Sequence, residues 1–479
     1  MMIGANIRPY PVFYIRQSWK KPDMFTQPTN LLVTLIPAII GAVYFTILFV
    51  SLKRPFWLGM LIGAGAGVLG SMIFMVPLGY CTFEPDRKPI DFYFGIFLIV
   101  VGVSIIFALV HSVATFFFSG QRRSLIDHQV STGTFKGWLM PWLLLLPTLV
   151  ILALFLYYPS LDTFRLSTLL TRLGNSRTVF VCVDNFTRLL NDNTFSIQTA
   201  LFLIIAFQLL VASQNVFRNS DTLWARLFRY SLILSNVIFF LFMVMPLIFS
   251  RSYYWVLIAT FSISSAIVIL SLTISLAVAT MAYQPIRGAS IYRTLLIWPY
   301  AISPPVAGII FFIIFNQTGG IANHLIRLFG GAGLEWKSVE LAPWTIILAS
   351  VWKALGFSIL FYIAGLQNVP QDLLEAAAID GANAWQRFMR ITVPMLSPIT
   401  FFLIVTNISY AFFDIFGTID YLTGGSAGTN VMIYEIYNVG IRNNDLGKAS
   451  AQSLVLFILV IGITYLQFRT TGRRVSYGA

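Results

Sequence analysis

The sequence predicts an all-α polytopic membrane protein, and three observations carry that prediction. Hydrophobic residues fill 57% of the 479 positions and charged residues only 10%, whereas a soluble chain carries roughly a quarter charged residues. That leaves too little polar surface to coat a globule in water. Several apolar runs also reach the roughly 20 residues an α-helix needs to cross the hydrocarbon core. The runs are continuous, without the polar–apolar alternation of a transmembrane β-barrel.

In chain order the candidate spans are 31–50, 56–78, 92–118, 138–158, 196–216, 230–249, 253–281, 294–315, 342–366, 391–418 and 449–468. The formal net charge of +13 does not point to nucleic acid, because no basic face interleaves with aromatics as single-strand binders require. Lys and Arg cluster in the loops instead, as the positive-inside rule describes. Arg122, Arg123 and Lys136 place the loop before the fourth run in the cytoplasm. Parity then puts 218–229, 284–293, 367–390 and the tail with Arg469, Arg473 and Arg474 inside, and 79–91, 159–195, 316–341 and 419–448 outside.

One end breaks the pattern. Residues 1–30 show no cleavable signal peptide, and parity places them outside although they carry Arg8, Arg16, Lys20 and Lys21 against Asp23 alone. Either the amino terminus lies outside against the rule, or one early run does not cross. The Gly-rich "LIGAGAGVLGSM" is then a re-entrant segment or a closely packed helix.

The segment "LLEAAAIDGANAWQRFMRITVP", residues 373–394, interrupts two apolar runs on the cytoplasmic side. Pro370 and Asp372 mark a helix start, Gly381 breaks the first helix, and Asn383 is a plausible N-cap for a second. Trp385, Phe388 and Met389 share one face of that second helix. By composition this is either a helix lying on lipid headgroups or a docking surface for a cytoplasmic protein.

Catalytic chemistry is absent from the sequence. His111, His128 and His324 are scattered, and no metal-ligand spacing occurs. "GGAGLEWKS" approaches a P-loop, but Trp336 stands where glycine must precede Lys337. Cys81 and Cys182 both fall in outward loops, where a disulfide is sterically conceivable; two independent free thiols are the expected case. The spans are almost free of charge, the exceptions being His111, Lys353 and Asp414. Lys353 either snorkels or pairs structurally with Asp414, or attracts an anionic solute along a path that Asn407 and Tyr410 also line. Tyr410 and Asp414 fall on one face at i and i+4.

The 373–394 segment reads Glu375-Ala376-Ala377, three residues, Gly381, nine residues, Ile391, one residue, Val393, Pro394. It resembles the signature cytoplasmic loop of binding-protein-dependent ABC importer permeases, E-A-A-x3-G-x9-I-x-L-P, departing only at Val393. Further stretches, "RGASIYRTLLIWPYAISPPVAGIIFFIIFNQTGG" before it and "YAFFDIFGTID" and "SAQS" after it, resemble the carbohydrate-uptake branch, the last two its glycerol 3-phosphate members.

The resemblance implies a six-helix permease core in residues 136–479, with about five additional transmembrane helices. Three of these lie in 1–135 and two in an insertion near 207–260. It implies a coupling loop at 367–394, in which Glu375, Ala376, Ala377, Asp380, Gly381, Trp385, Phe388, Arg390, Ile391 and Pro394 meet an ATPase subunit. The expected partners are a second permease, two ATPase subunits carrying ATP and Mg²⁺, an extracytoplasmic solute-binding protein and membrane lipid, in a prokaryotic inner membrane. The expected solute is a carbohydrate or glycerol phosphate. A secondary transporter or integral membrane protein not coupled to an ATPase is the alternative, and it would need the buried acids or histidines of a proton relay or catalytic side chains.

Overall fold

The computed structural model describes residues 28–78, 81–84, 88–118, 139–174, 178–191, 196–215, 231–232, 234–284 and 288–470. Regular structure there is helical, save one two-stranded hairpin. Among the described residues eight helices are long and apolar enough to cross a membrane, or nine if a bent pair counts as one span. The chain forms two compact units, 1–250 with 444–451, and 251–443 with 452–479.

In the first unit, α1 (Pro28–Ser51), α2 (Phe56–Leu78) and α3 (Pro89–Phe118) are all of membrane-spanning length. The Gly-rich run is thus a closely packed helix. A Cβ on Gly59 would lie 2.5 Å from the Phe45 carbonyl oxygen, and Gly41 and Gly63 similarly meet each other's backbone. Small residues let antiparallel helices touch where lipid offers no hydrophobic driving force. Because α1 and α2 are antiparallel, Pro28 begins on the side where α2 ends; residues 1–27, with their basic residues, lie outside the described residues. Tyr44 on α1 and His111 on α3 share a hydrogen bond of 3.0 Å, which partners the one histidine in a span.

The fourth run continues beyond its expected end. Here α4 (Leu139–Leu152) passes through a π turn, Ala153–Tyr157, into α5 (Tyr158–Ser167). A hairpin follows, β1 (Leu169–Leu170) pairing antiparallel with β2 (Val179–Phe180). The fifth and sixth runs correspond to α6 (Ile197–Asn215) and to a shorter apolar helix, Leu234–Ile248. The loop 218–229 between them lies outside the described residues.

Cys81 and Cys182 are bonded, with Cα atoms 6.2 Å apart, so the expectation of two free thiols is corrected. Sequence separation hid the pairing, since the two cysteines lie 101 positions apart with three described α-helices between them.

In the second unit, α7 (Arg251–Ala282) is followed by α8 (Ala289–Ala301) and α9 (Pro304–Ile314). The expected straight span 294–315 is bent by 101° between these two. The reason is local: Ser303 precedes Pro304 and is driven to extended backbone, φ −67° and ψ 151°, as a residue before proline must be. After a short helix, Ile321–Leu328, come α10 (Ala342–Gln367) and two short helices, α11 (Gln371–Ile379) and α12 (Ala384–Arg387). The expected run 391–418 crosses only from Ser397: α13 (Ser397–Ser409) continues through a π turn, Tyr410–Asp414, into α14 (Ile415–Leu422). The final helix, α15, is Leu446–Thr470.

Candidate functional site

The 367–394 segment folds as an elbow. Pro370 caps α11 and Asp372 sits in its first turn, where a carboxylate complements the helix dipole. Gly381 then adopts φ +83°, the left-handed conformation that ends helices. Its amide donates to the Ala378 carbonyl (3.1 Å), and that of Ala382 to the Ala377 carbonyl (2.9 Å). Asn383 caps α12 as a reciprocal box: its Oδ1 accepts from the Gln386 amide (2.8 Å), while Gln386 Oε1 accepts from the Asn383 amide (2.9 Å). Arg387 folds back, its Nη1 donating to the Leu374 carbonyl at 3.4 Å, so it ties the two helices instead of presenting its charge.

What remains outward is mixed. Glu375, Ala376, Asp380, Arg390 and Pro394 are exposed, and Ala377, Phe388 and Ile391 half-buried. Ile379 is 87% exposed and Trp385 65%, with Leu373 and Met389 also open. The Trp385 and Phe388 rings lie 5.9 Å apart. Large apolar side chains thus stand exposed beside acidic residues on a two-helix knob, a kind of patch that marks a contact with another protein or with a membrane.

Between α7, α10 and α13 runs a seam of small polar side chains. On α7, Thr260, Ser264, Ser271 and Ser275 are buried at steps of four or seven, which is one helix face. Ser264 donates to the Ala411 carbonyl, 3.0 Å, inside the π turn of 410–414. Asn407 is the clamp: Nδ2 donates to Ser358 Oγ (3.1 Å) and the Leu403 carbonyl (2.8 Å), and Oδ1 accepts from Ser271 (3.2 Å). Its amide is therefore spent on neighbouring helices. The sequence reading singled out Asn407 but missed Ser271 and Ser358; the repeat of small polar residues along "SISSAIVILSLTIS" was the signal.

Lys353 sits on α10, 6% exposed. Its ammonium lies 5.5 Å from the Tyr300 ring centre and 5.2 Å from that of Tyr410, within cation–π range. It closes no ion pair with Asp414, whose charge reaches it through space. Lys353 and Tyr410 are thus brought together and Asp414 stands apart, exposed at the end of its π turn. The Tyr410 and Ser350 hydroxyls are neighbours, both buried, but outside hydrogen-bonding geometry.

Two further loops are held by aromatic packing. Trp336 donates to Asn323 Oδ1 at 2.8 Å and packs on Phe315, while Lys337 lies 4.4 Å from the Phe312 ring centre. Those side chains of the near-P-loop stretch are taken up in packing. In the loop before α15, Arg442 pairs with Asp420 at 3.0 Å and lies over the Tyr434 and Tyr437 rings, 5.5 Å from each. Burial pushes the Tyr434 phenol above its ordinary range, and Arg442 opposes that rise. Among the described residues no group of three His, Cys, Asp or Glu side chains is placed to hold a metal ion.

Comparison with known proteins places this arrangement. The family described as binding-protein-dependent transport system inner membrane component matches residues 274–471, a stretch that includes the elbow, Lys353 and Asn407. The sn-glycerol-3-phosphate transport system permease protein UgpA of Rhizobium meliloti (strain 1021) is 44% identical over 223 residues, covering 46% of this chain and 74% of that protein. Its namesake from Yersinia enterocolitica serotype O:8 / biotype 1B (strain NCTC 13174 / 8081) is 42% identical over 220 residues, covering 46% of this chain and 75% of its own. A solved bacterial alginate ABC transporter, in complex with an alginate pentasaccharide-bound periplasmic protein, aligns with a TM-score of 0.45 at 20% identity, over 58% of this chain and 93% of that one. With about three quarters of each relative covered at more than 40% identity, the chain belongs to the binding-protein-dependent transport system inner membrane components, the multi-pass permease subunits of ABC importers.

Proposed function

We propose that this permease moves a carbohydrate or glycerol phosphate inward, driven by ATP hydrolysed with Mg²⁺ on two ATPase subunits bound at the elbow. A second permease subunit completes the pore, and an extracytoplasmic solute-binding protein delivers the solute. The chain has no ATPase site of its own in this reading. The observation that carries it is the elbow itself: two capped helices hinged on Gly381, with Ile379, Trp385 and Met389 open, on the E-A-A-x3-G-x9-I spacing. Closure of the ATPases pulls on the knob, and the rigid caps on either side of Gly381 pass that movement to α10 and α13. Glu375 anchors the contact electrostatically; Trp385 and Phe388 fill an apolar groove on the ATPase.

The solute class rests on the names of the relatives and on Lys353. A buried ammonium flanked by two tyrosine rings offers charge to an anion and apolar faces to a carbon backbone, the combination a phosphorylated polyol needs. Asp414 at the exposed end of the same turn would bias which anions pass.

The test is ATPase activity co-purifying with the tagged chain, with Glu375→Lys as the paired variant. Activity in the wild type and its loss in the variant is the expected result. ATPase association unchanged in Glu375→Lys sinks the docking assignment. Absence of any ATPase from the wild type would favour the uncoupled transporter.

A further inference from the structure

We propose that the Cys81–Cys182 disulfide is a redox-dependent brace that makes the three N-terminal helices a fixed part of the outer end of the first unit. The bond joins two places that chain connectivity leaves far apart. Cys81 lies in the turn between α2 and α3, where Cys81, Thr82 and Phe83 are all buried. Cys182 lies just after β2, fully buried and at φ +60°, a backbone conformation that a non-glycine residue holds only when its surroundings impose it. Met75, Leu78, Phe83, Ile99 and Val183 close over the sulfurs. Phe94 on α3 stacks on Phe186 at 5.5 Å, and Phe74 on α2 meets Phe164 at 5.6 Å.

The segment 168–191 that holds Cys182 is the hub of this end of the unit. Asn185, buried, donates to the Ser167 and Leu169 carbonyls at 2.8 and 3.1 Å. Backbone bonds run from Leu446 to Thr171 (3.0 Å), from Leu173 to Asn444 (3.2 Å), from Asn191 to Ile248 (2.8 Å) and from Ser250 to Leu189 (2.9 Å). The chain before α15 and the chain before α7 thus both attach here by hydrogen bonds that water can exchange. The N-terminal helices attach covalently.

Both cysteines lie at the end of the unit that the loop charges assign to the outside, where disulfides persist. The two thiols give up two protons and two electrons to a disulfide-bearing oxidant of that compartment, whose own S–S bond is reduced to two thiols. No oxidant on the cytoplasmic side is needed. Reduction reverses the exchange and removes the covalent tie, leaving non-covalent contacts such as Phe94 on Phe186 and Phe74 on Phe164.

The experiment introduces a protease site within 121–131 of the otherwise unaltered chain and cleaves it in membranes after free thiols are blocked. A single band without reductant and two fragments with dithiothreitol is the expected result; two fragments without reductant overturns the proposal. The second readout is the unfolding midpoint of the purified transporter. It should fall on reduction of the wild type and not respond to reductant in Cys81→Ser, whereas an unchanged wild-type midpoint shows the bond is no brace. Should Cys81→Ser fail to accumulate, the reduced wild type supplies the same comparison. Neither readout depends on what is transported or on an ATPase, so failure of the transport reading and failure of the brace are told apart.

Discussion

At the residue scale, Gly381 and Lys353 make opposite kinds of demand. A Cβ on Gly381 would meet no atom within 4 Å, so any cost of Gly381→Ala is conformational, about 1–2 kcal/mol for a left-handed residue. We expect Gly381→Ala to lower uptake and Gly381→Asn to retain more of it, because asparagine tolerates that region; equal uptake in both variants and wild type would show that the elbow's conformation is immaterial. Lys353 is constrained by surroundings instead of backbone. Lys353→Ala should lower solute-stimulated ATPase for an anionic solute more than for a neutral one of similar size. An equal loss for both would return Lys353 to a structural role.

At the element scale, the seam between α7, α10 and α13 shows how polar groups join helices in lipid. An interhelical hydrogen bond there contributes only about 0.6 kcal/mol on average, so the Asn407 clamp adds little by the bonds it makes. The cost of Asn407→Leu comes from what it abandons. Ser358 loses the Asn407 amide, whereas Ser271 keeps the Val268 carbonyl at 3.2 Å. One stranded hydroxyl predicts a loss of about 1–3 kcal/mol, read as a lower unfolding midpoint. No measurable loss would mean the seam relaxes around the change. The π turns belong to the same scale: of the five described, those at 388–392 and 410–414 fall at the elbow and beside Lys353.

At the scale of the whole molecule, the N-terminal helices are bound into the first unit by more than adjacency. In the chain-entropy account, closing a loop of about 100 residues contributes about 4.7 kcal/mol; the membrane lowers this, because inserted helices are already restricted before they pack. Removal of residues 1–118 would expose Val183 and Phe186 and leave Cys182 a lone thiol. We therefore expect the truncated chain to accumulate poorly in membranes, measured by immunoblot. Full accumulation with full uptake would make these helices a dispensable addition.

The sequence by itself determined the class of protein, because hydropathy over 20-residue runs and the placement of Lys and Arg are local properties that lipid enforces. It also determined the elbow: Pro370, Gly381 and Asn383 act on their own backbone within a few residues, and the spacing of Glu375-Ala376-Ala377, Gly381, Ile391 and Pro394 carried the family resemblance. The bend at Ser303 was equally local, in "SPP", but a run of apolar residues on both sides concealed it. Only the tertiary structure decided which distant groups meet. It joined Cys81 to Cys182, spent Asn407 on Ser271 and Ser358, placed Lys353 between Tyr300 and Tyr410, and kept it from closing a pair with Asp414. Each of these depends on the rotation and depth at which one helix faces another. Those are set by the close approach of backbones, as at Gly41 and Gly63, and the approach exists only once both helices are packed.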